Sequence, residues 1–155
     1  MNVMDAWLIL LLVTVAVLLA SAVRRVPAGR VYSVYRRGKL VRVLGAGTHL
    51  IQPWRDRVRH KIDLAGQTLT LDEPLDERRE LRGTVYWQVL EPERVDAVID
   101  EVDQLIRRGA QEALRAQAPK VLADRRDAGI HVKQTLNSTL RPRGMLVTRV
   151  ELEAA

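Results

Sequence analysis

Residues 31–53 read VYSVYRRGKLVRVLGAGTHLIQP, and the interpretation of this stretch decides the fold. Val31 to Tyr35 and Leu40 to Leu44 are short β-branched and aromatic runs separated by Arg36-Arg37-Gly38-Lys39, a pattern that predicts an antiparallel hairpin. Gly45-Ala46-Gly47 then breaks the second strand. Gly38, Gly45 and Gly47 permit positive φ or close backbone approach, and Pro53 fixes φ beside Trp54, so these four residues are assigned to structural turns. As a phosphate loop the segment fails, because no Lys-Ser/Thr follows its paired glycines and the next element reads as a strand.

Downstream, Val58, His60 and Ile62 alternate with Arg57, Arg59 and Lys61 as in a half-buried strand, and Gln67 to Leu71 repeats the alternation. Asp72 to Glu80 reads as a charged loop and Thr84 to Leu90 as a further strand. From Glu93 the period changes. Val95, Val98, Val102, Leu105, Gly109 and Ala113 recur at three and four, predicting one amphipathic helix that ends near Pro119 and lays its apolar stripe on the sheet. A shorter helix is expected over Pro119 to Asp127 and another over Ile130 to Leu140, before Pro142 and Gly144 give way to a last strand over Met145 to Leu152. Strands, then helices, then a strand make an α+β fold, with helices packed on one face of a mostly antiparallel sheet.

Upstream, Trp7 to Val23 reads WLILLLVTVAVLLASAV, and Ala6 extends the uncharged run to eighteen residues, about 27 Å of helix. Trp7, Leu10, Val15 and Leu19 are assigned to this membrane anchor. Asp5 lies outside its start, while Arg24 and Arg25 close it, so the positive-inside rule puts the N-terminus outside and the rest in the cytoplasm of a single-pass cell-membrane protein. Residues 1–23 are therefore read as a signal anchor and 24–155 as one domain. The rival reading is a cleaved signal peptide, with Ala20-Ser21-Ala22 as its small-x-small site and an exported soluble binding domain as its product. Against it stand the lack of Lys or Arg before the span, the length of the apolar run and the two arginines that follow the cleavage site.

Charge is unevenly placed. Residues 1–23 carry Asp5 alone, residues 24–61 carry 11 Lys or Arg against Asp56, and residues 62–155 carry 14 basic against 17 acidic, so −1, +10 and −3 sum to +6. A basic block directly after an apolar span points to a membrane surface in preference to nucleic acid. Arg24, Arg25, Arg30, Arg36 and Arg37 are the candidate ligands for anionic headgroups; the competing reading is a positive-inside signal followed by ordinary solvated strand faces. The 132 residues after Val23 are enough for one domain and too few for two catalytic ones. Without Phe, and with six Trp plus Tyr, the core must be filled by Val, Leu, Ile and Ala.

Catalytic signatures fail one by one. Zero Cys excludes disulfides, thiolate zinc and a cysteine nucleophile. His49, His60 and His131 lack metal-ligand spacing, none of Ser21, Ser33 and Ser138 sits in a Gly-x-Ser-x-Gly elbow, and the carboxylates of residues 72–80 are interleaved with arginines. No catalytic residue, cofactor or metal site is assigned.

With these residues on the page, the chain resembles the stomatin, prohibitin and flotillin family, the SPFH or band 7 proteins, over essentially residues 6–155. The resemblance is carried by the Arg-Gly-Lys turn leading to Gly47-Thr-His-Leu-Ile-Gln-Pro53, by Tyr86 to Pro92, by the QEALR helix and by Gly144 to Val150. It implies a non-enzymatic membrane scaffold that self-associates, organises microdomains and holds membrane-protein complexes, or alternatively an accessory subunit regulating a membrane protease. The sequence departs from the family at Leu75 to Leu81, where a threonine-x-aspartate-glycine turn is usual. It ends within three residues of the last family strand, so neither a C-terminal coiled coil nor a large cage is expected.

Overall fold

The uninterrupted apolar run forms α1 (Val3–Ala22), with Asp5 in its first turn and none of its side chains buried. At ~1.5 Å per residue it is about 30 Å long. The computed structural model describes residues 3–76, 79–116 and 124–154, and the chain divides into two units, residues 1–61 and 62–155.

In the first unit α1 runs directly into β1 (Val23–Val26), and β2 (Arg30–Arg36), β3 (Lys39–Leu44), β4 (Gly47–Leu50) and β5 (Asp56–Asp63) follow. The expected hairpin is β2 with β3, paired antiparallel from Tyr32↔Leu44 to Arg36↔Lys39 with a bulge at Val34/Tyr35. Its two central residues, Arg37 (φ 52°) and Gly38 (φ 78°), are both left-handed, the backbone that matches the twist of the flanking strands. Of the glycines assigned to turns, Gly47 has φ 131° and also needs its freedom; Gly45 has no positive φ, and nothing lies within 4 Å of where its Cβ would be. β1 pairs with β4, Val23↔Leu50 to Val26↔Gly47, and a second sheet has the order β3-β2-β5. The core here is small: Val26, Val34, Leu44 and Ile51, with Tyr32 and Val58 against them.

The second unit holds β6 (Gln67–Asp76), β7 (Arg79–Val89) and β8 (Met145–Ala154), with β7 central. The charged stretch expected as a loop is largely strand: Asp72↔Arg82, Glu73↔Leu81 and Pro74↔Glu80 are ladder partners. Asp72 faces Arg82 across the ladder, with Arg82 Nε 3.0 Å from its carboxylate, so the charged stretch continues the strand and does not break it. Leu81, Val85, Trp87 and Val89 form the buried face of β7.

The single helix expected from Glu93 is broken. Pro92 opens α2 (Pro92–Val95), a 3-10 turn covers Ile99–Glu101, and α3 runs Val102–Ala116. The break shifts the helical phase, so Val102, Ile106, Ala110, Ala113 and Leu114 are buried, while Leu105 and Gly109 are only half-buried. A Cβ on Gly109 would stand 2.9 Å from Leu136 of the next helix, which explains a glycine where two helices approach. The short helix expected over Pro119 to Asp127 falls mainly outside the described residues. Asp124 is the N-cap of α4 (Arg125–Leu140), accepting from the Arg126 and Asp127 amides, so this helix begins five residues before the expected Ile130. Asn137 of α4 both donates to the Val147 carbonyl (3.0 Å) and accepts from its amide (2.8 Å), latching the helix to strand β8.

Candidate functional site

The first unit concentrates the charge, and its geometry starts from the end of α1. The Ile51 amide donates to the Ala22 carbonyl at 2.8 Å. That bond extends the β1–β4 ladder to the last residue of the helix and satisfies one of the carbonyls that every helix end leaves open. Val23 and Leu50, the first rung, stay 42% and 66% exposed.

Beside this junction a cleft is lined by Arg24, Arg25, Arg57 and Lys61, with Tyr32 and Pro53 in its wall. Arg24 and Arg25 alternate along exposed β1 opposite His49 and Thr48. Arg57 and Lys61 come from β5, where the two-residue side-chain period puts them on one face. Lys61 Nζ lies 5.5 Å from the centre of the Tyr32 ring, a distance at which the ring's negative face holds an ammonium. Among the described residues no carboxylate lies within ion-pair distance of Arg24, Arg25 or Arg57.

One carboxylate, that of Asp56, also lines the cleft, and it is already engaged. Asp56 is 5% exposed, takes Arg36 Nε at 2.8 Å and has Arg42 at 3.9 Å. It also accepts from the Gln52 amide at 3.4 Å. The Arg36 hydrogen bond, opposed by burial and helped by the Gln52 amide, holds its pKa below the ordinary carboxylate value. Arg36 is thus tied to a structural carboxylate, whereas Arg37 occupies the exposed hairpin turn. Both line a separate cleft with Lys39, Leu40, Trp54 and Arg55. Arg30 opens β2, is exposed, and lines neither cleft.

Sequence reasoning singled out Arg24 and Arg25; it counted Arg57 and Lys61 only as members of a basic run. The signal that pairs them is the alternation 57, 59, 61 along β5, but which face meets β1 depends on tertiary pairing. Trp7, Leu10, Val15 and Leu19 are all exposed on α1, which is long and apolar enough to cross a membrane, with a mean hydropathy of 2.6. His49 Nε2 is 2.8 Å from the Gly45 carbonyl, and the His60 amide donates to buried Ser33 Oγ at 3.0 Å. Gly38, Gly47 and Pro53 lie in turns or at strand ends around the site. Among the described residues no group of three or more His, Asp or Glu is arranged to hold a metal ion.

An uncharacterised protein of Archaeoglobus fulgidus is 28% identical over 162 residues, covering 97% of this chain and 64% of the relative. An uncharacterised protein of Schizosaccharomyces pombe is 25% identical over 145 residues, covering 85% of this chain and 40% of the relative. The chain therefore spans less than two thirds of the length of either. The family model described as SPFH domain / Band 7 family matches residues 24–155, all of the chain after the apolar helix and its first strand residue, and the protein belongs to that family.

Proposed function

We propose that the protein is a single-pass, membrane-anchored, non-enzymatic scaffold, with α1 in the bilayer, residues 24–155 on the cytoplasmic side, and Arg24, Arg25, Arg57 and Lys61 holding anionic lipid headgroups. The observation that carries this reading is the position of a four-cation cleft at the foot of the apolar helix. A helix of about 30 Å matches the hydrocarbon thickness of a bilayer, so its C-terminal end falls at headgroup level. Cations there gain up to about 1 kcal/mol each from anionic lipid. Members of the family typically self-associate in membrane complexes, and lateral association of this chain follows from that membership.

The anchor reading is also favoured over cleavage by the Ile51–Ala22 bond. Cutting after Ala22 would remove the acceptor of that bond and free the first rung of the β1–β4 ladder. A reporter fused after Ala155 that is active only outside the cell tests orientation: silence is expected, and activity, or a mature chain beginning at Val23, overturns it. Headgroup recognition is tested on the full chain. Purified in mild detergent from a bilayer of phosphatidylcholine and phosphatidylglycerol, it should retain the anionic lipid preferentially and release it at high salt. Equal retention of both lipids overturns the headgroup assignment.

A further inference from the structure

The described residues outside α1 expose seven large apolar side chains, and five of them, Val23, Leu40, Val41, Leu50 and Trp54, lie between residues 23 and 54. Trp54 is the largest and is 69% exposed. An exposed tryptophan on a loose loop would mean little, but this one sits on a braced turn. The Arg55 and Asp56 amides both donate to the Gln52 carbonyl at 3.0 and 2.8 Å, and the Asp56 carboxylate ties the turn to Arg36 of β2 at 2.8 Å. The backbone that carries the indole is therefore held in place, and only the two side-chain torsions of Trp54 remain to be ordered against a partner.

Its surroundings name the partner. Arg37, Lys39 and Arg55 share a cleft with Trp54, Leu40 and Val41, a mixture of cations and apolar groups that suits the boundary between anionic headgroups and acyl chains. The chain length sets the reach. Ile51 is hydrogen-bonded to the last residue of α1 at 2.8 Å, and the three residues from Ile51 to Trp54 extend at most about 11 Å. Headgroups occupy about 5 to 8 Å on each side of the hydrocarbon. A tryptophan tethered so close to the end of a spanning helix stands at headgroup level or immediately above it.

We propose that the Trp54 turn, with Leu40 and Val41, is a second contact with the bilayer that α1 spans: an interfacial wedge seated among anionic headgroups by Arg37, Lys39 and Arg55. The inference rests on the membrane-anchor reading and fixes the tilt of the first unit, because a helix end and a wedge define two points of attachment. It also separates the work of the two clefts, one at the foot of the span taking headgroups by charge, the other inserting an aromatic edge.

The full chain in vesicles of phosphatidylcholine and phosphatidylglycerol containing brominated lipid tests it. Trp87 is 4% exposed in the protein core and serves as a silent background. Trp7→Phe leaves Trp54 as the quenchable residue, and Trp54→Phe leaves Trp7 as the reporter of the span. Trp7→Phe chains should be quenched by lipid brominated near the headgroup, by roughly twofold more than by lipid brominated deep in the acyl chain. Quenching of the Trp54→Phe chain without quenching of the Trp7→Phe chain overturns the wedge and leaves the anchor standing; Trp54 then serves a protein partner. If neither chain is quenched, the anchor fails and the wedge fails with it. A second measurement uses the cysteine-free sequence: a polarity-sensitive dye on Leu40→Cys should brighten and shift to the blue in the same vesicles, and water-like emission there overturns the proposal.

Discussion

Residues 62–154 close their sheet with apolar side chains, whereas residues 23–61 close theirs with polar pins around a small core. In the second unit Val85, Trp87, Val102, Ile106, Val132, Leu136 and Met145 are all buried, supplied by two helices and a strand face. In the first, the cluster of Val26, Val34, Leu44 and Ile51 is accompanied by buried Ser33 and Asp56, which bind the His60 backbone and the Arg36 side chain. The first unit nevertheless leaves its large apolar groups outside. A segment that exposes Trp54 and Leu50 while folding around a carboxylate has its surface reserved for something other than its own stability.

That contrast breaks first at Ile106. It is fully buried in α3, so Ile106→Asp should abolish folding of the second unit by placing an unpaired charge in hydrocarbon. Ile106→Ala should cost about 2 to 5 kcal/mol. Leu105→Ala, half-buried one position away, should cost clearly less. Thermal unfolding followed by circular dichroism ranks the three, and equal losses at 105 and 106 would mean that the helix sits in the phase expected from sequence.

Asn137 is the second unit's own polar pin. Asn137→Ala leaves both the amide and the carbonyl of Val147 without their helix partner, at a cost of about 2 kcal/mol. Hydrogen exchange at the Val147 amide should accelerate in this variant beyond the change in global stability. An unchanged exchange rate would show that the latch is replaced by water at no penalty.

Asp56 tests the first unit, and the effect is smaller because Arg36 is 40% exposed and solvent screens the pair. Asp56→Asn should cost about 1 kcal/mol at neutral pH. Folding lowers the pKa of Asp56 below its ordinary 3.8, so the native state favours the ionised form. Its contribution is complete above that ordinary value and is lost as pH falls through the folded one. The acid limb of the stability profile should therefore be shallower in Asp56→Asn than in the native chain, and identical slopes would remove the pin from the account.

The same contrast explains what the sequence could reveal. The β2–β3 hairpin was legible because alternation and Gly38 are local signals, and α1 was legible because eighteen uncharged residues have few other uses. The strand through Asp72 and Pro74 was not, because Asp72 meets its charge partner, Arg82, only across a ladder ten residues away. The phase of α3 was lost at a break near Asp96 that no glycine or proline marks. Asp56 and Ser33 gave no signal either; their burial depends on contacts twenty and twenty-seven residues distant.

The smallest expected effect on stability is the most informative about the site. Arg57 and Lys61 project from β5 into the cleft at the end of α1, and Arg57 has no ion-pair partner among the described residues. Substituting both with Gln removes two charges from a surface already strongly basic, which relieves self-repulsion, and the net change in stability should be no more than about 0.5 kcal/mol. Lys61 also gives up its contact with the Tyr32 ring, worth about 0.5 to 1 kcal/mol at an exposed position, which offsets that gain. Retention of phosphatidylglycerol by the full chain should fall all the same, and its salt dependence should flatten, since fewer cations hold the headgroup. Arg108→Gln/Arg115→Gln is the matched control: it removes two exposed charges from α3, and neither residue lines either cleft. If Arg57→Gln/Lys61→Gln and Arg108→Gln/Arg115→Gln lower lipid retention equally, net charge alone governs binding and the cleft has no separate role.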